Sequence, residues 1–401
     1  MSDLNNSELL LLSNFIYLKW DKFKNKNVGK IVHDMLYRGK LNAAIVTNGE
    51  CVETVKRDEW INVLRQIKDN SNLTSLKIEN IKSDNSGIRT ACFVDNHSNN
   101  ATVVFRGTKT KEEWGDNGQG AYKIDTPDQI IALDYVNSLT YHNITVTGHS
   151  KGGNKAKYVA LLCDKVNKCV SFDGQGFSNE FTDKYEKFIT KNNKKIISIS
   201  AKYDYVNCLL NSLDEEKIYI DTKFQSNPLY YHKASIMLDG NGNLRPQTKQ
   251  CIFSNIIYNF STSLISDTPE PYKSFTINGM IEIIELFLCG IKLEQIILKI
   301  VGDTVLTLGY TKHYKLKKEF TLAYYLLSSL ITPFMFWNDF VKAEESKSKE
   351  LLDQIILKIN NLEEGIVEKV KKIGDEGEQV AYCISNANSN FIKALESDVI
   401  M

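Results

Sequence analysis

The stretch Gly148-His149-Ser150-Lys151-Gly152-Gly153 stands between a β-favouring run, Ile144 to Thr147, and a helix-favouring run, Asn154 to Cys163. A glycine-flanked serine at the junction of a strand and a helix is the arrangement of a nucleophile elbow. The turn is sharp and strained, and side chains at the flanking positions would collide with the adjoining strand and helix. Glycine at 148 and 152 follows from that crowding. The helix then points its N-terminus at the reacting group, where free N–H groups and the helix dipole favour developing negative charge. Ser150 is the candidate nucleophile. His149, beside it on a tight turn, is expected to point away from the hydroxyl and to be structural.

A serine hydroxyl needs an imidazole as base, and the imidazole needs a carboxylate to orient it. In a strand-elbow-helix enzyme the order along the chain is serine, acid, histidine. Only His232 and His313 lie downstream of Ser150. His313 belongs to the lysine-rich His-Tyr-Lys-Leu-Lys-Lys318 and reads as solvated, so His232, after an extended Asn227 to Tyr231, is the expected base. Two aspartates follow strand-like runs: Asp204 after Lys195 to Ser200, and Asp173 after Lys168 to Phe172. Asp204 is favoured because it lies nearer His232 and one strand further from the serine; Asp173 is the alternative acid. The β-run ending at Val103-Val-Phe-Arg-Gly-Thr108 offers Thr108 as an oxyanion donor, Arg106 being readable as a structural ion-pair partner.

The 401 residues suit two domains. Forty-nine basic and 49 acidic residues balance, which gives no reason to expect a nucleic-acid partner. Eight scattered cysteines lack metal-binding spacing and read as reduced thiols; no metal or other cofactor is expected. Asp3 and Glu8 flank the apolar Leu9 to Leu12 without a basic leader, so a cytoplasmic protein, or one exported without a cleavable signal peptide, is expected.

Residues 1–247 alternate extended and helical patterns, the signature of an α/β domain with a largely parallel sheet. Further strands are expected at Asn42 to Val46, Thr90 to Val94, Ala101 to Phe105 and Lys217 to Ile220, and helices at Asp58 to Lys68, Thr126 to Leu139, Asn154 to Val166 and Phe181 to Asn192. Residues 248–401 read as a helical domain. Its apolar positions 352, 355, 359, 362, 366, 370 and 373 form one stripe, expected to pack in an antiparallel bundle. Phe320 to Trp337 carries no charge and reaches the length of a membrane span, but Pro333 and its hydroxyl residues favour a buried core helix. Asn278 to Val301 reads as an amphipathic helix. Residues 272–401 are where a membrane surface or a protein partner would be met.

Phe105-Arg-Gly-Thr108 with Trp114, Gly148-His-Ser-Lys-Gly-Gly153, Asp204-Tyr-Val206 and His232 together resemble the class 3 lipase branch of the α/β-hydrolases. The sequence more closely resembles the Mbeg1-like (DUF2974) family, in which lysine follows the nucleophile and asparagine the second glycine, over roughly residues 5 to 240. The resemblance implies Ser150 as nucleophile, Asp204 as acid, His232 as base, and Thr108 with the Lys151 backbone N–H as oxyanion donors. It implies a lid within Lys109 to Lys123. Lys151 stands where class 3 lipases usually have leucine, so a charge is expected beside the entrance. The expected function is hydrolysis of a carboxylic ester, of the lipase or phospholipase type. The alternatives are a non-catalytic scaffold and a secreted bacterial effector whose helical half binds a partner or membrane.

Overall fold

The strand-forming runs of the first 250 residues build one eight-stranded sheet, with strands adjacent in chain order. They are β1 (Lys77–Asp84), β2 (Gly87–Val94), β3 (Asn100–Phe105), β4 (Asn143–His149), β5 (Val166–Phe172), β6 (Ile196–Ala201), β7 (Glu216–Ile220) and β8 (Gln247–Thr248). The structure, a computed structural model, describes residues 3–21, 26–45, 55–95, 100–109, 111–223, 225, 228–288 and 314–399. β3 to β7 run parallel, while β1, β2 and β8 are antiparallel to their neighbours.

The helices before and within the sheet are α1 (Asn6–Phe15), α2 (Val28–Tyr37), α3 (Leu41–Ala44), α4 (Arg57–Lys68), α5 (Ser71–Ser75), α6 (Lys111–Gln119), α7 (Pro127–Ser138), α8 (Lys151–Leu162) and α9 (Asn179–Asn192). Right-handed crossovers that always step in one direction deposit their helices on one face. Accordingly Ala132 and Val136 of α7, Ala156 and Val159 of α8 and Phe181 of α9 share a core with Val103, Ile144, Val146 and Cys169 of the strands. The opposite face is covered by α1, packed on β3, β4 and β5. Leu9 to Leu12 and Phe15 are all buried, as a helix apolar on every side requires. This is the α/β-hydrolase architecture. Because β3 to β6 run the same way, residues just beyond Phe105, His149, Phe172 and Ala201 gather at one edge of the sheet, where α/β sites form.

Several local expectations are corrected. Asn42 to Val46 is not a strand: Leu41–Ala44 is a helical turn whose buried residues, Leu41 and Ala44, are three apart, and Val46 lies outside the described residues. β1 was not expected, because Lys77 to Asp84 is polar and almost wholly exposed; it is a charged edge strand, held by its hairpin with β2. The helix after the elbow begins at Lys151 instead of Asn154, and it stops at Leu162 because Val166 already belongs to β5. His232 closes a 3-10 helix, Pro228–His232, instead of following an extended run.

The chain divides into two compact units. One comprises Met1–Asn117, Ile124–Asn207 and Ser212–Lys249; the other comprises Gly118–Lys123, Cys208–Asn211 and Gln250–Met401. Described elements of the second are helical: α10 (Ile252–Asp267), α11 (Tyr272–Leu288), α12 (Tyr314–Met335), α13 (Trp337–Ser346), α14 (Lys349–Lys371) and α15 (Asp375–Val399). The amphipathic helix expected through Val301, and His313, fall partly or wholly outside the described residues. Among the described residues one helical stretch, Lys318–Ser346, is long and apolar enough to cross a membrane by length and composition, and 53% of its apolar window is buried inside the structure.

The stripe on α14 departs from expectation at its centre. Leu352, Ile355, Ile359 and Val370 are buried, but Leu362 is 44% exposed and Glu363 takes the inward position at 1%. Glu363 Oε2 accepts from Ser329 Oγ of α12 at 2.7 Å, while Oε1 finds no partner among the described residues. Burial raises its carboxyl to about 7, against the pull of the Ser329 and Thr332 hydroxyls. Between pH 4.5 and about 7 the folded state therefore binds more protons than the unfolded one, so stability falls as pH rises through that window. The span corresponds to about 3 kcal/mol. Glu363→Gln is expected to flatten the loss and to stabilise the helical unit at pH 8, read by urea unfolding and by hydrogen exchange in α14. An unchanged pH slope in the variant would locate the titration elsewhere.

Candidate active site

Phe105 pairs with Gly148, and Gly148 with Ser171, so β3, β4 and β5 are in register where the chain turns. Ser150 occupies that turn with φ 58° and ψ −127°, and its N–H donates to Phe172 O at 2.9 Å. A side chain rarely tolerates this conformation, whose cost is about 1 to 3 kcal/mol. The flanking glycines make it attainable. A Cβ on Gly148 would lie 2.5 Å from Phe105 O, and one on Gly152 would overlap the same carbonyl.

The turn delivers Ser150 Oγ to His232 Nε2 at 2.8 Å. On the other side of the ring, His232 Nδ1 lies 2.7 Å from Asp204 Oδ1. Asp204 is fully buried, and its Oδ2 accepts the Asn207 backbone and side-chain N–H groups, both at 2.8 Å. With the carboxylate so fixed, the imidazole is held to a single orientation between acid and hydroxyl. Ser150, His232 and Asp204 thus meet, although 82 residues separate the first two in sequence.

Asp173 does not join them. Its backbone is in the left-handed region (φ 47°), and its Oδ1 accepts the Ala201 N–H at 2.9 Å. Burial first, and the Asp204 charge second, push its carboxyl well above the ordinary range. Its Oδ2 lies 3.7 Å from His149 Nε2. His149 is itself held well below the ordinary imidazole value by burial and by His232, so this approach joins two neutral groups and is not an ion pair. His149 Nδ1 meets Tyr17 Oη at 3.0 Å, and its ring packs on that of His232 with centroids 4.8 Å apart. His149 therefore turns its nitrogens to Tyr17 and Asp173 instead of to Ser150. His149, Asp173 and His232 bring ligand atoms within 4.8 Å of one another, the spacing a cation would need. Both His232 nitrogens are already engaged, so a cation would have to displace the contact with Ser150 or Asp204.

The expected oxyanion donors lie on either side of the serine. Gly107 packs so tightly that an added Cβ would be 2.7 Å from His149 O and 3.2 Å from Ser150 Cβ. Next to it, Thr108 Oγ1 is sealed from solvent with no hydrogen-bond partner among the described residues. Lys151 opens α8, so its N–H has no intrahelical acceptor. The Lys151 side chain, expected at the entrance, is instead 1% exposed and its Nζ lies 3.0 Å from Asp116 Oδ2. It shows no charge to an incoming ester. α8 buries two further lysines: Lys157 donates to Gly174 O at 3.0 Å, and burial lowers Lys155 to about 8.

Tyr17, Glu113 and Asp116 were not anticipated. Tyr17 carries no local signal, being joined to His149 across 132 residues. Glu113 and Asp116 have the three-residue spacing of one helix face, a pattern that ordinarily marks a solvated surface.

Residues 69–236, nearly all within the first unit, match the Mbeg1-like family. Among solved structures the chain is similar to M37 lipase, at 14% identity and a TM-score of 0.30, over 52% of this chain and 71% of that one. No curated protein matches.

The crowding at the elbow has a direct consequence for stability. Gly152→Ala is expected to destabilise the hydrolase unit by about 3 kcal/mol, since the Phe105 carbonyl is backbone and cannot give way as a side chain would. Gly115, with nothing within 4 Å of an added Cβ, is the control. Gly115→Ala should be neutral or stabilising by up to about 1 kcal/mol. Urea unfolding of the two variants measures both; equal stabilities would contradict the packing argument.

Proposed function

We propose that the chain is a serine esterase of the lipase type, which hydrolyses carboxylic esters, lipid esters foremost, through an acyl-enzyme on Ser150. The observation that carries this reading is the unbroken line from Asp204 Oδ1 through His232 to Ser150 Oγ, with contacts of 2.7 and 2.8 Å. The preference for lipid esters rests on the motif resemblance to class 3 lipases.

In this scheme His232 Nε2 takes the Ser150 proton as Oγ attacks the ester carbonyl. The Asp204 carboxylate stabilises the imidazolium that results. Negative charge gathers on the former carbonyl oxygen, toward the Lys151 N–H and the Thr108 hydroxyl. The unpartnered state of Thr108 Oγ1 supports that role, because its missing hydrogen bond is supplied when the oxyanion forms. Collapse of the intermediate, with the proton passing from His232 to the leaving alcohol, gives the acyl-enzyme. Water repeats the sequence to release the acid.

A fluorophosphonate probe should label Ser150, and Ser150→Ala should abolish labelling. Ser150→Ala and His232→Ala are each expected to cost about a thousandfold or more in turnover of p-nitrophenyl esters. Wild-type turnover in His232→Ala would sink the assignment.

The two aspartates separate cleanly. Asp204→Asn should cost about a hundredfold or more, because the imidazolium loses its countercharge. Asp173→Asn should leave turnover nearly unchanged, since His232 bonds to Asp204 and Ser150 instead, and burial already disfavours a charge on Asp173. The reverse order would make Asp173 the acid. Thr108→Val is expected to lower kcat about a hundredfold with little change in KM. An unaffected kcat would leave the oxyanion to backbone donors alone.

A further inference from the structure

α6 immediately follows the loop that carries Thr108, and two of its carboxylates point inward. Glu113 Oε1 accepts from Arg106 Nη2 at 2.5 Å and lies 3.5 Å from Arg89 Nε; its Oε2 accepts the Lys109 backbone N–H at 2.5 Å. Arg106 is itself buried, with further bonds to Ser86 Oγ at 2.7 Å and Ser86 O at 3.2 Å. One carboxylate thus grips both residues beside Gly107-Thr108. One turn further along α6, Asp116 Oδ2 lies 3.0 Å from Lys151 Nζ, while its Oδ1 accepts the Asp128 N–H at 3.0 Å. The two halves of the oxyanion site, the Thr108 loop and the first residue of α8, are therefore tied to the same helix through buried groups.

We infer that α6 is a fixed brace of the oxyanion site, not a lid, and that Glu113 and Asp116 are positioning residues that set the spacing between Thr108 and the Lys151 N–H. The inference rests on the esterase reading. Swinging α6 away would strand Arg106 and Lys151, both almost fully enclosed, without their partners, and breaking a buried pair from one side is strongly unfavourable. The site is therefore assembled before substrate arrives. It accepts esters as single molecules in solution and needs no lipid surface to open it.

Three measurements test this on the full chain. Hydrogen exchange in α6 should be as slow as in α7, whatever the catalytic activity; exchange at the rate of an open loop would overturn the brace while leaving the esterase reading untouched. Tributyrin hydrolysis should rise hyperbolically through the solubility limit, and a jump in rate at that limit would also overturn it. Finally, Glu113→Gln should lower kcat about tenfold to a hundredfold with KM unchanged, but should cost little more in a Thr108→Val background, because both changes act on the same donor. Additive losses would mean that Glu113 acts only on general stability. Should Glu113→Gln fail to fold, the double variant Asp116→Asn with Lys151→Met, which removes both charges of the second tie and retains the Lys151 N–H, should show the same fall in kcat at constant KM. A double variant with wild-type kcat would refute the brace. Equal activity of Ser150→Ala and wild type would instead sink the esterase reading itself.

Discussion

Ser150 can stand at the apex of its turn only because Gly148 and Gly152 let the start of α8 press against the Phe105 carbonyl. That close approach is the constraint on which the rest of the hydrolase unit depends. It draws β3, β4 and α8 together at one point and fixes the register of β3 on β4 there. It also leaves the N–H of Lys151, the first helical residue after Ser150, without an intrahelical acceptor. The strain at Ser150 is local, of a few kcal/mol at most. What opposes it is the burial of the surrounding sheet and helices, with Val103, Val104, Phe105 and Val146 all enclosed.

Electrostatics then divides labour among chemically similar groups. Asp173 and Asp204 both follow parallel strands and both are 0% exposed, yet their hydrogen-bond surroundings differ. Asp204 has an imidazole and two N–H donors around its carboxyl group. Asp173 has one N–H on Oδ1 and an Oδ2 without a hydrogen-bond partner among the described residues, and burial first, with the neighbouring Asp204 second, raises its carboxyl well above the ordinary range. The histidines divide likewise: His232 keeps hydrogen-bond partners on both nitrogens, whereas burial holds His149 well below the ordinary imidazole range. Environment, not residue type, separates the candidate acid and base from their neighbours.

The elbow and the parallel sheet were legible because their signals are local: glycines around a serine, and β-rich runs separated by helical ones. Thr108 and Asp204 could be singled out by their place just beyond β3 and β6, and His232 only by its order downstream of Ser150. What stayed hidden depends on partners far away in sequence. Nothing near Lys151 says that its amine turns inward to Asp116, and a lysine beside a nucleophile reads naturally as an entrance charge. β1 was hidden because an edge strand needs no apolar alternation, only a partner on one side. On α14 an apolar residue at 362 and an acidic one at 363 suggested the wrong inward position, because the hydroxyls of α12 that receive Glu363 are some thirty residues upstream.

The two units treat these buried charged side chains in different ways. In the hydrolase unit, Arg106, Lys151 and Lys157 all have an acidic partner or a carbonyl within reach. Such pairs add little net stability over apolar packing, because desolvating two ions offsets most of their attraction. They do impose geometry: an ion pair inside a dense interior has few alternative arrangements, and separating it is costly. On the proposed esterase reading, a site that holds Thr108 and the Lys151 N–H in fixed relation gains from that rigidity. Glu363 lies in the helical unit with the Ser329 and Thr332 hydroxyls for partners among the described residues, so its protonation, not a countercharge, is what makes its burial tolerable near neutral pH. One arrangement fixes a distance, whereas the other leaves the packing of α12 on α14 sensitive to the proton concentration around it.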